Sequence, residues 1–391
     1  MARGVMAAFA AACLLVAPAS GHETDQFTMP LNTPMADLGD WLDTVHYRAV
    51  DRAVRKLNEE VEAALKIEDP AHRVAAVVVI ASAAVLAWVR RPENAVAKVH
   101  QSFSDAFTEI MDVEFALRGE WAKRAYPDML TVHQPDRWIY SRTHFWIDPR
   151  QIVLSFRSST IKAYGVYFGT DKLSHFHHMG TIYYDEYRKR REAGMSDDEA
   201  TAYVVRAYAN GNVIGENALL GFIATGVYSN ADLAANFAGL KFNINVTEPV
   251  FIKGRLREPM IVRKGEFFRV NKHVRPESGW FGAFISDHWN EALNPSWYNW
   301  EIRSSVRSAL ASRSKVIEEF YTKVDGRPAD PRYYTDLAVE LSLMDGQDYG
   351  HCRKWDKLMT IAHVCWPDQA VTPGVSDVGE TKQNGAALQG S

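Results

Sequence analysis

Between residues 171 and 178 the chain reads Asp171-Lys172-Leu173-Ser174-His175-Phe176-His177-His178, the densest run of reactive side chains in its 391 residues. No Pro or Gly interrupts Asp171 to Met179, which predicts a helix with Thr170 as N-cap and Asp171 in the first turn, where the backbone dipole favours an anion. On that helix Asp171, His175 and His178 fall at i, i+4 and i+7 on one face, while Lys172 and His177 point elsewhere. One carboxylate and two imidazoles in a row suit two chemistries. They can hold a divalent metal, with His175, His178 and Asp171 as ligands, or they can form an acid/base relay in which the carboxylate orients an imidazole. Zinc needs a further ligand or water, and a relay needs something to act upon, so other elements must complete the site.

Two later segments offer the missing groups. Ser196-Asp197-Asp198-Glu199 matches a capping box and opens a helix expected to run to about Thr225. That helix carries Asn212 and Glu216 one turn apart among Gly211, Gly215 and Gly221, each costing roughly 1 kcal/mol of helicity relative to Ala. Such glycines are worth having where another backbone packs closely. A third helix opens at Ser229, with Asp232, Asn236 and Gly239 at i, i+4 and i+7. Asp171, His175, Glu216 and Asp232 are therefore the candidate catalytic residues, and Lys172, Asn212 and Asn236 the candidate substrate-binding ones.

The order D-K-x-x-H, then a helix-borne Glu, then S-x-x-D-x-x-x-N-x-x-G resembles the VanZ-like membrane proteins and YfiM-like envelope lipoproteins of bacteria. It stands here as Asp171 to His175, Glu216, and Ser229 through Asp232 and Asn236 to Gly239. The resemblance covers about a fifth of the chain. It implies a helical envelope protein linked to lipid-linked or glycopeptide-related envelope chemistry. Arg206, Asn210, Asn212 and Asn217 make the Glu216 helix too polar to face lipid, so the likeness concerns a shared polar site rather than a shared membrane topology.

The elements around the site follow from patterning. Residues 1–21 have the charge, apolar run and small-x-small ending of a cleaved signal peptide, which predicts a periplasmic or secreted protein. Removing it leaves Cys352 and Cys365, expected to form one disulfide in an oxidising compartment. Asp37 to Lys66 steps its apolar residues at threes and fours, an amphipathic helix or helix pair. Val74 to Val89 is apolar throughout, but sixteen residues at ~1.5 Å each reach about 24 Å, short of the ~30 Å core of a bilayer. It reads as a central buried helix, with room for peripheral membrane contact. Ala95 to Trp121 is a further helix, Gln151 to Phe156 and Ala163 to Phe168 are short strands, and Met260 to Val270 is a hairpin. Trp280 to Trp300 interleaves aromatic rings with Asp287, His288 and Glu291, either a sugar or headgroup subsite or core packing. Asp287 and Glu291 could join the central site from the other side. Helices are expected at Glu301 to Lys323 and Tyr333 to Met344, and a disordered tail from Val371.

The fold expected is mainly α, with a small β-hairpin and short strands. Its regions are 22–130 (helical), 131–250 (helical, with the D-K-x-x-H motif) and 251–370 (hairpin, aromatic segment and C-terminal helices), followed by the tail at 371–391. Hydrophobic residues make up 47% of the chain, enough for a substantial core, and with a formal net charge of −4 nothing suggests nucleic acid as a partner. The expected function is an exported envelope protein acting as a hydrolase or transferase on a lipid-linked or phosphate-bearing substrate through an Asp/His/Glu site. The alternative is a non-catalytic structural or metal-binding envelope protein.

Overall fold

A computed structural model describes residues 23–67, 76–103, 110–140, 158–211 and 226–373. The expected leader at 1–21, the expected strand at 151–156, the segment bearing Asn212 and Glu216, and nearly all of the expected tail lie outside the described residues. Within them the protein is mainly helical, with short antiparallel strand pairs.

The amphipathic pattern after Asp37 becomes α1 (Gly39–Ile67), which buries Leu42, Val50, Leu57 and Val61 along one face. Its apolar stripe is the seat for α2 (Ala76–Val89) and α3 (Pro92–Ser102). The long helix expected from Ala95 to Trp121 is instead broken into α3, α4 (Ile110–Leu117) and α5 (Glu120–Ala125). α2 does not run through the centre. It packs one side on α1 through Leu86 and Val89 and leaves Val85 and Trp88 exposed. No helix among the described residues is long and apolar enough to cross a membrane.

β1 (Thr160–Ala163) and β2 (Val166–Gly169) form a hairpin around Tyr164-Gly165, and the end of β2 feeds directly into the motif helix. That helix is continuous in three parts: α6 (Thr170–Ser174), a π-helical turn at His175–Met179, and α7 (Gly180–Glu192). The capping box forms as expected, Ser196 and Glu199 bonding reciprocally at the start of α8 (Asp197–Arg206). After β3 (Val227–Tyr228), Ser229 caps α9 (Asn230–Asn245), accepting from the Asp232 N–H. Every residue of α9 is buried, so it is the central helix of the molecule.

α9 crosses the motif helix at a glycine pair. A Cβ on Gly239 would stand 2.0 Å from the Phe176 carbonyl oxygen, and one on Gly180 2.6 Å from the Gly239 Cα. Only glycine at both positions permits that approach.

Two small hairpins follow, β4 (Val250–Ile252) with β5 (Arg255–Arg257) and β6 (Ile261–Lys264) with β7 (Phe267–Val270), the second as expected. In the aromatic segment Trp280, Phe281, Phe284, Trp289 and Tyr298 are buried, so core packing is what these rings do. β8 (Trp297–Tyr298) pairs with β3. α10 (Trp300–Ala311), α11 (Ser314–Glu319), α12 (Pro331–Glu340) and α13 (Ile361–Cys365) surround a second apolar cluster.

The expected disulfide is absent: Cys352 and Cys365 are both free thiols. Cys352 sits in the cluster built on α1 and α9, where its N–H donates to Asn230 Oδ1 at 2.8 Å. Cys365 packs against the other cluster, its Sγ donating to the Ser314 carbonyl at 3.4 Å. The intervening chain turns through Trp355 and α13, which assigns the two sulfurs to different cores.

Candidate functional site

The centre of the site is Lys172, whose side chain has no exposed surface. Its Nζ lies 2.8 Å from Asp171 Oδ2 and also pairs with Glu291 and Asp232. The ammonium donates to Asp171 and Glu291, while Asp232 stands beside it as an ion-pair partner through Oδ1. Asp171 arrives from the first turn of α6, Asp232 from the first turn of α9, and Glu291 from the turns after the Asp287–Trp289 3₁₀ helix. Asp171 is fixed by Thr24, whose hydroxyl donates to Oδ1 at 2.8 Å, and Glu291 by its own N–H, which donates to Gln26 Oε1 at 3.0 Å.

At the outer side of this cluster stands His175. Its Nε2 lies 3.3 Å from Asp232 Oδ2, and its Nδ1 lies 3.0 Å from Asn236 Oδ1. Both ring nitrogens thus face oxygens, so a doubly protonated ring satisfies both, whereas a neutral ring satisfies one unless the Asn236 amide is turned. His175, Asp232 and Asn236 each keep 3% of their surface exposed, against 0% for Lys172. All three are buried, a little less completely than Lys172.

Burial sets the protonation of the cluster. It works against the Lys172 ammonium, but Asp171, Asp232 and Glu291 outweigh it and hold Lys172 well above the ordinary lysine value. For Glu291, burial is the main cause of a rise, Asp171 and Asp232 add to it, and Lys172 opposes it; the carboxyl is pushed up to about 8. One member of the cluster therefore carries its proton at neutral pH. Glu291 Oε2 is buried with no hydrogen-bond partner.

The structure brings together Asp171, His175, Asp232 and Asn236, as the spacing on α6 and α9 suggested, and adds Lys172 to them. His178 is not with them. The π turn widens the helix at His175–Met179, so the i+7 position swings outward and His178 is exposed, while His177, expected to point away, is buried. The ligand set His175, His178 and Asp171 therefore does not converge. Lys172 was also expected off the shared face, and it is instead the hub. The carboxylate oxygens of Asp171, Asp232 and Glu291 lie within 4.8 Å of one another, a spacing that suits a cation. The Lys172 ammonium is the cation among them, and a divalent ion drawn to the same oxygens has to displace it.

Glu291 is the participant from the aromatic segment; Asp287, one turn earlier, pairs with Arg327 instead. Glu23, Thr24, Asp25 and Gln26 form a buried polar strap that sequence reasoning missed, since a short polar run carries no periodic signal. A second missed feature is His46 on α1. Its Nδ1–H donates to the Leu42 carbonyl at 2.7 Å, which leaves Nε2 to accept from His177 Nε2 at 3.2 Å. Burial pushes His46 down to about 3 and His177 well below the usual histidine value, so both rings are neutral packing partners of Phe103 and Phe176.

Compared with family models, with curated proteins and with solved structures, the chain matches none of them.

Proposed function

We propose that this is an exported enzyme of the bacterial envelope, a hydrolase or transferase in which His175, oriented by Asp232 and Asn236, moves a proton to or from the substrate. Glu291 and Lys172 stand behind it as the proton-holding and charge-holding groups. The observation that carries the reading is the charge imbalance at Lys172. Three acidic side chains share one buried ammonium, and burial, with Asp171 and Asp232 adding to it, pushes Glu291 up to about 8. A purely structural ion pair is better served by balanced charge, and shifted carboxyls gather where proton transfer is needed. The export assignment rests on the leader pattern of residues 1–21, and the envelope assignment on the resemblance of the D-K-x-x-H and S-x-x-D-x-x-x-N-x-x-G segments.

The same charge count narrows the substrate. Three acidic side chains around Lys172, with Glu23 also acting on it, make the inner site a poor seat for a phosphate. A lipid-linked molecule presenting a neutral ester, amide or glycosidic bond at the His175 edge suits it better. The test is turnover by the mature protein of p-nitrophenyl esters and of a bacterial envelope lipid extract, the latter followed by mass spectrometry. His175→Gln, with its melting temperature kept within a few degrees, is expected to lower turnover at least a hundredfold. Equal turnover in wild type and variant removes the proposal.

Near-complete burial favours a second reading, in which the same residues form a non-catalytic network locking α6 to α9. Under it, His175→Gln lowers the melting temperature markedly and neither protein turns anything over.

A further inference from the structure

The one helix whose composition does not match its position is α2. Its fourteen residues, Ala76–Val89, contain no charge, and Ser82 is the sole residue in it with a hydroxyl. A helix that is apolar all round belongs in a core or in lipid. Here Leu86 and Val89 face α1, but Ala83, Ala84, Val85, Ala87 and Trp88 are exposed, with Trp88 at 51% and Val85 at 40%. At ~1.5 Å per residue the helix reaches about 21 Å, too short to span a bilayer.

What surrounds this face argues for its occupant. Arg90 and Arg91 follow the helix directly, and Arg91 is exposed. Arg90 pairs with Glu266 in the turn between β6 and β7, so the tip of that hairpin is held beside the helix end. The hairpin brings exposed Phe267 together with exposed Arg263, Lys264 and Arg269. Glu266, the one acid in the hairpin, is engaged by Arg90. Apolar surface ending in an exposed tryptophan and rimmed by arginine and lysine is the chemistry of a segment that lies in an anionic membrane surface, where indole settles at headgroup depth and basic side chains meet lipid phosphates.

We infer that α2 and the tip of the β6–β7 hairpin dock this protein onto an anionic lipid bilayer, with the helix lying in the interface rather than crossing it. The inference stands apart from the proposed chemistry at His175. Its test is co-sedimentation of the full mature chain with vesicles of phosphatidylglycerol and phosphatidylethanolamine, against vesicles of phosphatidylcholine. Wild type is expected to bind the anionic vesicles at least tenfold more tightly, with the preference shrinking in 0.5 M salt. Val85→Ser with Trp88→Ser should lose at least tenfold, Arg91→Gln about fivefold, and His175→Gln nothing. Ala84→Glu, which places a charge on the exposed face without removing any packed atom, gives a second route if the double variant misfolds, and should abolish binding. Failure of the wild type to bind anionic vesicles, or unchanged binding by a folded α2 variant, overturns the inference. So does a concentration-dependent dimer in sedimentation velocity that α2 substitution dissolves while vesicles remain unbound, since the face then meets a second copy of the chain.

Discussion

Lys172 and Glu291 respond differently to neutralisation, and the difference separates an ionised from a protonated Glu291. Removing the ammonium in Lys172→Met leaves three buried carboxylates with no cation. Stranding buried charge in this way costs about 3–5 kcal/mol. Glu291→Gln replaces a group that already holds its proton near neutrality with an uncharged near-isostere whose carbonyl still accepts from Lys172. Its expected cost at pH 7 is below about 1.5 kcal/mol, within the range of a single altered hydrogen bond. Urea denaturation of the two variants measures both numbers, and comparable losses would mean that Glu291 is ionised and the charge assignment wrong. Residue identity announced much of this site: Asp171, His175, Asp232 and Asn236 do meet. Lys172 as the hub was not legible, because a regular helical wheel turns it off the shared face and nothing in the residue itself says that three acids will follow it inward. Glu291 was legible as a candidate, but its distance along the chain from His175 is closed by tertiary packing that no local pattern encodes.

The crossing of α9 over the motif helix depends on two absent side chains. Gly239→Ala places a Cβ against the Phe176 carbonyl, a backbone atom that cannot rotate away, and the helices must separate. We expect a loss of about 3 kcal/mol or more, at the upper end for overpacking, together with loss of the His175–Asn236 contact. Gly194 is the control. It has a φ of +93° and nothing within 4 Å of its would-be Cβ, so Gly194→Ala should cost only the backbone penalty of about 1–2 kcal/mol. Thermal melts of the two variants check the contrast, and equal shifts would remove close approach as the explanation. At this scale the sequence was read well wherever an end has its own chemistry. Ser196 with Glu199, Ser229, and the turn at Lys264-Gly265 all mark boundaries that form. The π turn at His175–Met179 has no such marker; it arises from fitting the helix against α9 and α1, and it reversed the expected roles of His177 and His178. The position of α2 was misread for a related reason: an apolar run reports its solvent but not whether that solvent is protein.

Across the whole molecule, buried groups of opposite type make stability depend on pH in two directions. Burial lowers His46 and His351 to about 3 and His177 well below its usual value, so these rings stay neutral in the folded state. Unfolded histidines take up protons near pH 6.5, so below that pH the unfolded state binds more protons and stability falls by about 1.4 kcal/mol per pH unit for each ring. Asp25, raised mainly by burial to about 6, and Glu291, raised to about 8, act oppositely: the folded state holds their protons where the unfolded state has released them. Each therefore adds stability as pH falls, Glu291 from pH 8 and Asp25 from pH 6. Between pH 8 and 6.5 Glu291 adds about 1.6 kcal/mol, but His46, His177, His351, His100 and His288, each half protonated at pH 6.5 once unfolded, oppose it by about 2 kcal/mol, so the wild type should change little over this interval. Below pH 6 the three histidines outnumber the two carboxyls, and the lowered His100 and His288 add to their side. Stability should therefore be greatest near pH 7, falling gently above it and steeply below pH 6.5. Urea midpoints measured from pH 5 to 8.5 test this, with Glu291→Gln as the diagnostic: the alkaline decline should flatten in the variant while the acidic one persists. A wild-type profile that coincides with that of Glu291→Gln from pH 6.5 to 8.5 would show that Glu291 releases its proton as an ordinary carboxyl does, and with it would go the charge imbalance on which the proposed acid–base chemistry rests.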